Sequence, residues 1–406
     1  MKSYVFLLCP ILSFLSGFAL TRYLTCHPLY MSAYLLFTCL LSFAALALLY
    51  KFLEKHEMAG FILGTALIFF FSGYFGTLHS FMNISDERVL PKITRVEGEQ
   101  GQGHAAVILL AHGEPETYDA RPWIKQMKEL DAQKIPFVPY PFRPFFFSSL
   151  RKEYLLAGKS GHNAECLQIM KELENEYRQK GDMSTRFYIS YLENEPYPDT
   201  AVIKALNEGA DSIIICNVFI TISNHTQEAI DLIKPIRLEN YGVEIKYTKP
   251  LYDSKTLQRL YVDKLNSTLA GTKRDNVGVV LVGHGQPEEW DREFPTETRQ
   301  EISFRQDILK QLEQSGYNPQ NMKLAWMEFR EPRPKTAVDQ LLENGVTDMY
   351  YFSTIIGSES IHAKYDIPKL MNKVKMPKNI RLQQLTAFED KSGIVMALME
   401  RIEQLK

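Results

Sequence analysis

AVILLAHGEPE at residues 106–116 and VVLVGHGQPEE at residues 279–289 are two versions of one pattern: an apolar run, then His-Gly, then Pro-Glu. A short apolar run unbroken by polar residues suits a strand buried on both faces. The match continues downstream. YLENEPYPDTAVIKALNEGADSIII, residues 191–215, corresponds to WMEFREPRPKTAVDQLLENGVTDMYY, residues 326–351, and ITISNHTQEAI, residues 220–230, to GSESIHAKYDI, residues 357–367. The blocks keep the same order, which points to two copies of one unit. Strands are expected at Ala105–Ala111, Phe187–Tyr191, Ser212–Val218, Val277–Gly283, Lys323–Met327 and Met349–Ser353. Helices are expected at Ala164–Gln179, Thr200–Glu208, Phe304–Ser315 and Thr336–Glu343. Such alternation predicts a parallel sheet with helices on both faces. The expected fold class is α/β, with two Rossmann-like parallel-sheet domains from an internal duplication.

Outward from the repeat, the first copy is interrupted around Trp123 to Ser160. The insertion carries PFVPYPFRPFFFSSL at residues 136–150. Phe145, Phe146 and Phe147 suit ordinary packing, a surface dipped into a bilayer interface, or the lip of an apolar cleft.

Ahead of the repeat lie three apolar stretches, at about 4–20, 29–50 and 58–82. A helix needs roughly 20 apolar residues to cross the hydrocarbon core. The second and third reach that length. The first is either a third span or a signal peptide with Lys2 as its basic start. Two or three transmembrane helices are therefore expected. Lys2, Lys51 and Lys55 on one side nearly balance Arg22, Arg88, Lys92 and Arg95 on the other. The small excess favours a cytoplasmic C-terminal part. The expected organisation is a membrane anchor at 1–82, a polar linker at 83–104 with Pro91, Gly98, Gly101 and Gly103, a first half at 105–270 and a second at 271–406. A chain starting near Gly103 is expected to fold and act alone.

A net charge of −2 over 406 residues, with no basic run, speaks against nucleic acid as a partner. Cys9, Cys26, Cys39, Cys166 and Cys216 show no C-x-x-C spacing, so neither a zinc ribbon nor an iron–sulfur cluster is signalled. Their scatter suits a reducing compartment. No dinucleotide fingerprint, P-loop, nucleophile-elbow serine or H-E-x-x-H occurs.

Each copy carries His, Glu and His at matching places: His112, Glu193 and His225, then His284, Glu328 and His362. All follow strands, and in parallel α/β sheets ligands bind beyond the carboxyl ends of the strands. Two imidazoles and a carboxylate suit a borderline divalent metal such as Fe²⁺, Co²⁺, Ni²⁺ or Zn²⁺. Three protein ligands leave coordination positions open, as a catalytic or delivery site requires. A single histidine after a strand is more often structural; the trio recurring in register is what gives it weight.

Several motifs carry a family resemblance. YLLAGKSGHNAECLQIMKELE at 154–174, PLYDSKTLQRLYVDKL at 250–265 and VVLVGHGQPEEW at 279–290 resemble segments of ferrochelatases. MEFREP at 327–332 and HAKYDIP at 362–368 are closer to the sirohydrochlorin chelatases. From about Ala105 onward the chain thus resembles the class II tetrapyrrole chelatases. That resemblance implies insertion of a divalent metal, Co²⁺ or Fe²⁺, into a tetrapyrrole bound between the halves. It makes His284, Glu328 and His362 the metal-binding and catalytic set. His112, Glu193 and His225 become a secondary set, serving as a metal-entry or proton-exit route or as a vestige. No bound organic cofactor is implied. Ferrochelatases have Glu where this chain has His362, which favours sirohydrochlorin as the ring. His112 and the membrane anchor also depart from the ferrochelatase pattern. The alternatives are a ferrochelatase acting on protoporphyrin or coproporphyrin, and a membrane-bound tetrapyrrole or metal carrier without turnover. The expected location is a bacterial inner membrane, with the chelatase part cytoplasmic.

Overall fold

The computed structural model describes residues 2–53, 59–84, 88–269 and 274–405. Lys55, the start of the third apolar stretch at Met58, residues 85–87 of the linker and the division at 270/271 lie outside the described residues.

The chain forms two compact units, Met1–Arg88 with Thr117–Lys159, and Val89–Glu116 with Ser160–Lys406. The first is helical: α1 (Lys2–Thr25), α2 (Met31–Leu53), α3 (Ala59–Met82), α4 (Arg121–Ala132) and α5 (Arg143–Ala157). The first three are long and apolar enough to cross a membrane over Leu7–Thr25, Pro28–Tyr50 and Gly60–Met82. The first runs past Leu20, with the Thr21 and Thr25 hydroxyls satisfied on carbonyls one turn back. Gly17 and Gly73 let α1 and α3 touch backbone to backbone. A Cβ on Gly17 would strike the Phe70 carbonyl oxygen, and one on Gly73 that of Phe14. Close approach through small residues is how helices associate in lipid, where apolar burial alone gives little drive.

The insertion belongs to this helical unit. Arg151 of α5 donates to the carbonyls of Tyr23, at 2.6 Å, and Cys26, at 2.9 Å. Tyr23 lies in the last turn of α1, where carbonyls lack an intrahelical donor, and Cys26 directly follows the helix. The Tyr74 hydroxyl donates to the Pro141 carbonyl at 2.6 Å. The Phe147 ring is buried edge-to-face on Phe81, with centroids 4.9 Å apart. Phe146 packs on Trp123 and Phe137, whereas Phe145 is exposed. Ordinary packing thus claims two of the three rings.

The second unit holds the duplication. Its elements are β1 (His104–Ala111), α6 (His162–Gln179), β2 (Arg186–Tyr191), α7 (Pro198–Asn207), β3 (Ala210–Asn217), α8 (Asn224–Ile233), β4 (Glu244–Tyr247) and α9 (Lys255–Thr268). They continue as β5 (Val277–Gly283), α10 (Trp290–Glu293), α11 (Pro295–Gln314), β6 (Met322–Trp326), α12 (Pro334–Glu343), β7 (Asp348–Ser353), α13 (Ile367–Asn372), β8 (Arg381–Leu385) and α14 (Ser392–Glu403). The sheets have orders β2-β1-β3-β4 and β6-β5-β7-β8, parallel throughout. Equivalent residues share a register: Val107 pairs with Phe187 and Ile214, and Val279 with Met322 and Tyr350. β1 and β5 are central, so both their faces are buried and their sequences read as continuous apolar runs. One apolar core joins the inner faces of both sheets through α6, α9, α11 and α14. Separate cores cover the outer faces.

Candidate metal and tetrapyrrole site

β1 and β5 each deliver a histidine at their carboxyl end, followed by a glycine that no other residue replaces easily. Gly113 has φ +77° and Gly285 φ +88°, the left-handed region. A Cβ at Gly113 would meet Tyr191 Cβ at 2.6 Å; one at Gly285 would strike the Glu328 carbonyl oxygen. The turn brings each glycine carbonyl back to the preceding imidazole. His112 Nδ1 lies 2.8 Å from Gly113 O, and His284 Nδ1 lies 2.6 Å from Gly285 O. A carbonyl only accepts, so Nδ1 carries the hydrogen and Nε2 is left with its lone pair.

The next strand ends lock onto these turns. Glu193 N–H donates to His112 O at 3.0 Å, and Glu328 N–H to His284 O at 2.9 Å. Tyr191 N–H and Trp326 N–H each reach the carbonyl of a proline further along the loop, Pro196 and Pro332, both at 2.9 Å. The two glutamates are therefore seated by the same backbone frame. The His284 amide also donates to Glu301 Oε1 at 2.9 Å. On the next turn of α11, Arg305 is fully buried against the Trp326 ring and donates to the Ala325 carbonyl at 2.7 Å.

The third residue of each set sits on a helical turn after a strand. His225 lies in the first turn of α8, which opens with a Ser223–Thr226 capping box. His362 begins a single π-turn, His362–Asp366. Its Nδ1 lies 2.7 Å from Asp366 Oδ2, again directing Nε2 outward. The structure pairs the histidines within each half. The rings of His112 and His225 have centroids 4.6 Å apart, and those of His284 and His362 5.3 Å apart. Glu328 lowers the energy of a proton on both His284 and His362. Among the described residues, no three His, Cys, Asp or Glu side chains already close around one metal position.

Charge distinguishes the two members of the second pair. Burial, then the neighbouring His362, pushes the His284 proton affinity down. Burial also opposes a proton on His362. The Asp366 hydrogen bond, with the charges of Asp366, Glu114 and Glu328, outweighs it and raises that pKa to about 9. At neutral pH His284 is the neutral imidazole and His362 the charged one.

Three contributors escaped the sequence reading. Asp366 stands four residues after His362, the spacing that puts two side chains on one helical face, and that was its signal. Glu114 sits inside the repeated His-Gly block. His162 is buried, with its Nδ1 lacking a partner, and burial followed by His112 lowers its pKa to about 4. It lies inside the 154–174 segment that resembles ferrochelatases, but no repeat or spacing singled it out.

The ferrochelatase family model matches residues 104–405. Solved structures that align with the chain include SirB from Bacillus subtilis with Fe³⁺, at 16% identity and a TM-score of 0.48, over 74% of this chain and 95% of that one. The sirohydrochlorin chelatase SirB from Bacillus subtilis subspecies spizizenii, in complex with cobalt, aligns at 12% identity and a TM-score of 0.44, over 74% and 94%. CbiX, described as the terminal enzyme for biosynthesis of siroheme in denitrifying bacteria, aligns at 11% identity and a TM-score of 0.37, over 73% and 98%. A search of curated protein sequences gave no match. The family match takes in both halves of the duplication and most of the chain, and on that ground the chain belongs to the ferrochelatase family.

Proposed function

We propose that this chelatase inserts Co²⁺ or Fe²⁺ into sirohydrochlorin, with His284, Glu328 and His362 as the residues that receive the metal. The observation that carries the site is the His284–His362 pair, each ring held through Nδ1 so that Nε2 stays available. Imidazole must be neutral to bind a metal. His284 is neutral as it stands, and His362 gives up a proton when the metal arrives. Two pyrrole N–H protons leave as one divalent ion enters the ring. Glu328, seated by the His284 carbonyl, is the acceptor closest in role to a general base. His112, Glu193 and His225 repeat this frame and offer a waypoint for metal or protons.

His362 supports sirohydrochlorin as the ring, because ferrochelatases resemble this chain elsewhere but have Glu there. A neutral ligand adds no negative charge beside a ring bearing eight carboxylates. The second reading is a ferrochelatase acting on protoporphyrin or coproporphyrin, favoured by the extent of the family match.

Insertion is followed by visible absorption for each ring with each metal. Sirohydrochlorin is expected to turn over fastest, and His284→Ala and His362→Ala to abolish turnover of every ring. His362→Glu is expected to cut the sirohydrochlorin rate by about tenfold, equivalent to about 1.4 kcal/mol. A wild type faster on protoporphyrin would promote the second reading. Binding of ring or metal without turnover would make the protein a carrier.

A further inference from the structure

We propose that Glu114 is a positioning residue: it reaches out of the first half of the duplication and fastens the turn that carries His362 in the second. Glu114 follows His112 and Gly113 at the end of β1. Its carboxylate accepts the Ile361 N–H, at 3.0 Å to Oε2 and 3.3 Å to Oε1. It also accepts the Ser160 hydroxyl, whose oxygen in turn accepts the His162 N–H at 3.2 Å. Ile361 directly precedes the π-turn, so the Glu114 bond fixes the backbone from which His362 departs. Asp366 holds the ring at its other end.

Neighbouring contacts follow the same line. Gly161 N–H donates to Glu359 O at 3.0 Å, and Glu165 accepts the Ser358 hydroxyl at 2.5 Å and the Glu359 N–H at 3.1 Å. Gly357, with φ +117°, leaves room for the buried His162 ring, where a Cβ would collide with it. The segment before His362 is thus gripped along its length by the start of α6, and Glu114 makes the last contact before the metal residue.

The repeat itself argues that this is more than packing. The equivalent of Glu114 is Gln286, and its amide stays within its own half, donating to Asp291 at 2.6 Å. Only the first-half residue crosses over, and it crosses to the half whose histidine begins a π-turn. Metal–ligand distances tolerate about 0.2 Å, so a backbone shift too small to disturb the fold would misplace an imidazole.

This inference rests on reading His284 and His362 as metal-binding residues, and the test separates the two. Co²⁺ binding to the full-length protein in detergent, without ring, is followed by its visible ligand-field bands, alongside KM for metal and for ring. Glu114→Ala is expected to weaken Co²⁺ binding and raise the metal KM about 10–100-fold, the usual cost of losing a residue that orients a ligand. The ring KM is expected to stay within about twofold. Glu114→Gln keeps an oxygen facing Ile361 N–H and is expected to stay within about threefold of wild type. A lower melting temperature with unchanged Co²⁺ affinity would make Glu114 a fold staple and overturn the proposal. So would a Gln variant as weak as the Ala variant, which would assign the effect to charge. If the Ala variant does not fold, Glu114→Asp, one methylene shorter, takes its place. An affinity at least threefold weaker supports the proposal, and wild-type affinity overturns it. Wild-type Co²⁺ binding unaffected by His362→Ala would sink the reading of the site, and this inference with it.

Discussion

His362 and Asp366 make the sharpest pH statement at the residue scale. On the proposed role of His362, its pKa, raised to about 9, means that a metal binding there has to displace a proton. Metal affinity is therefore expected to rise about tenfold per pH unit from pH 7 toward 9 and to flatten above it. Asp366→Asn removes the main opposing charge, so its plateau is expected to begin at lower pH. Co²⁺ titrations across pH check both, and a flat wild-type profile would remove His362 from the metal's partners. Folding runs the other way. The folded state holds this proton more tightly than the unfolded chain, whose histidine titrates near 6.5. The resulting stability is full below about pH 6.5 and is lost as pH rises through about 9. Glu297 behaves alike for a different reason: burial, then Glu301 and Asp291, raises its carboxyl to about 8. It too stabilises most below the ordinary carboxylate range, with loss as pH rises through about 8. Glu297→Gln is expected to match wild type near pH 5 and to melt higher near pH 9. Equal melting temperatures at pH 9 would place the Glu297 charge in solvent.

At the scale of elements, the two central strands were legible because burial on both faces leaves an unbroken apolar run. The edge strands β4 and β8, which pair with β3 and β7, were not. EIKY and RLQQL are short and polar, and each lies at a sheet edge with one side free. α11 begins at Pro295 rather than near Phe304, since its first two turns pack few apolar residues and give the eye no stripe. The His-Glu-His trios were legible through repetition, and the structure brings each histidine pair together. Glu114 and His162 act across the duplication, and contacts between copies leave no periodicity to read. Among the membrane-type helices the testable seam is Gly17 against Gly73. Gly73→Leu places a side chain into the Phe14 carbonyl and is expected to separate α1 from α3. Thermal unfolding in detergent should drop by several degrees. Gly64→Leu, where a Cβ meets nothing, should leave it unchanged and serves as the control.

The whole molecule revises one expectation. A chain starting near Gly103 keeps Thr117–Lys159 but loses the helices that segment packs with. Phe147 would be bared, and Arg151 would lose the Tyr23 and Cys26 carbonyls. Such a chain is expected to need detergent. Replacing residues 117–159 as well with a short polar linker should give a soluble protein that still binds Co²⁺, as size-exclusion chromatography and titration would show. A soluble, monodisperse chain from Gly103 without that replacement would mean that the insertion needs no partner.

Because each unit is assembled from separated stretches, the order of synthesis matters. β1 emerges from the ribosome well before β2 and β3, the strands on either side of it, while residues 117–159 intervene. At about 5–20 residues per second, a central strand with no polar face waits several seconds for its neighbours. During that interval the nascent chain displays one of its stickiest segments, in a chain that already carries three long apolar helices. Its yield in cells should therefore depend on translation speed and on chaperones that shield β1, more than the stability of the finished protein would suggest.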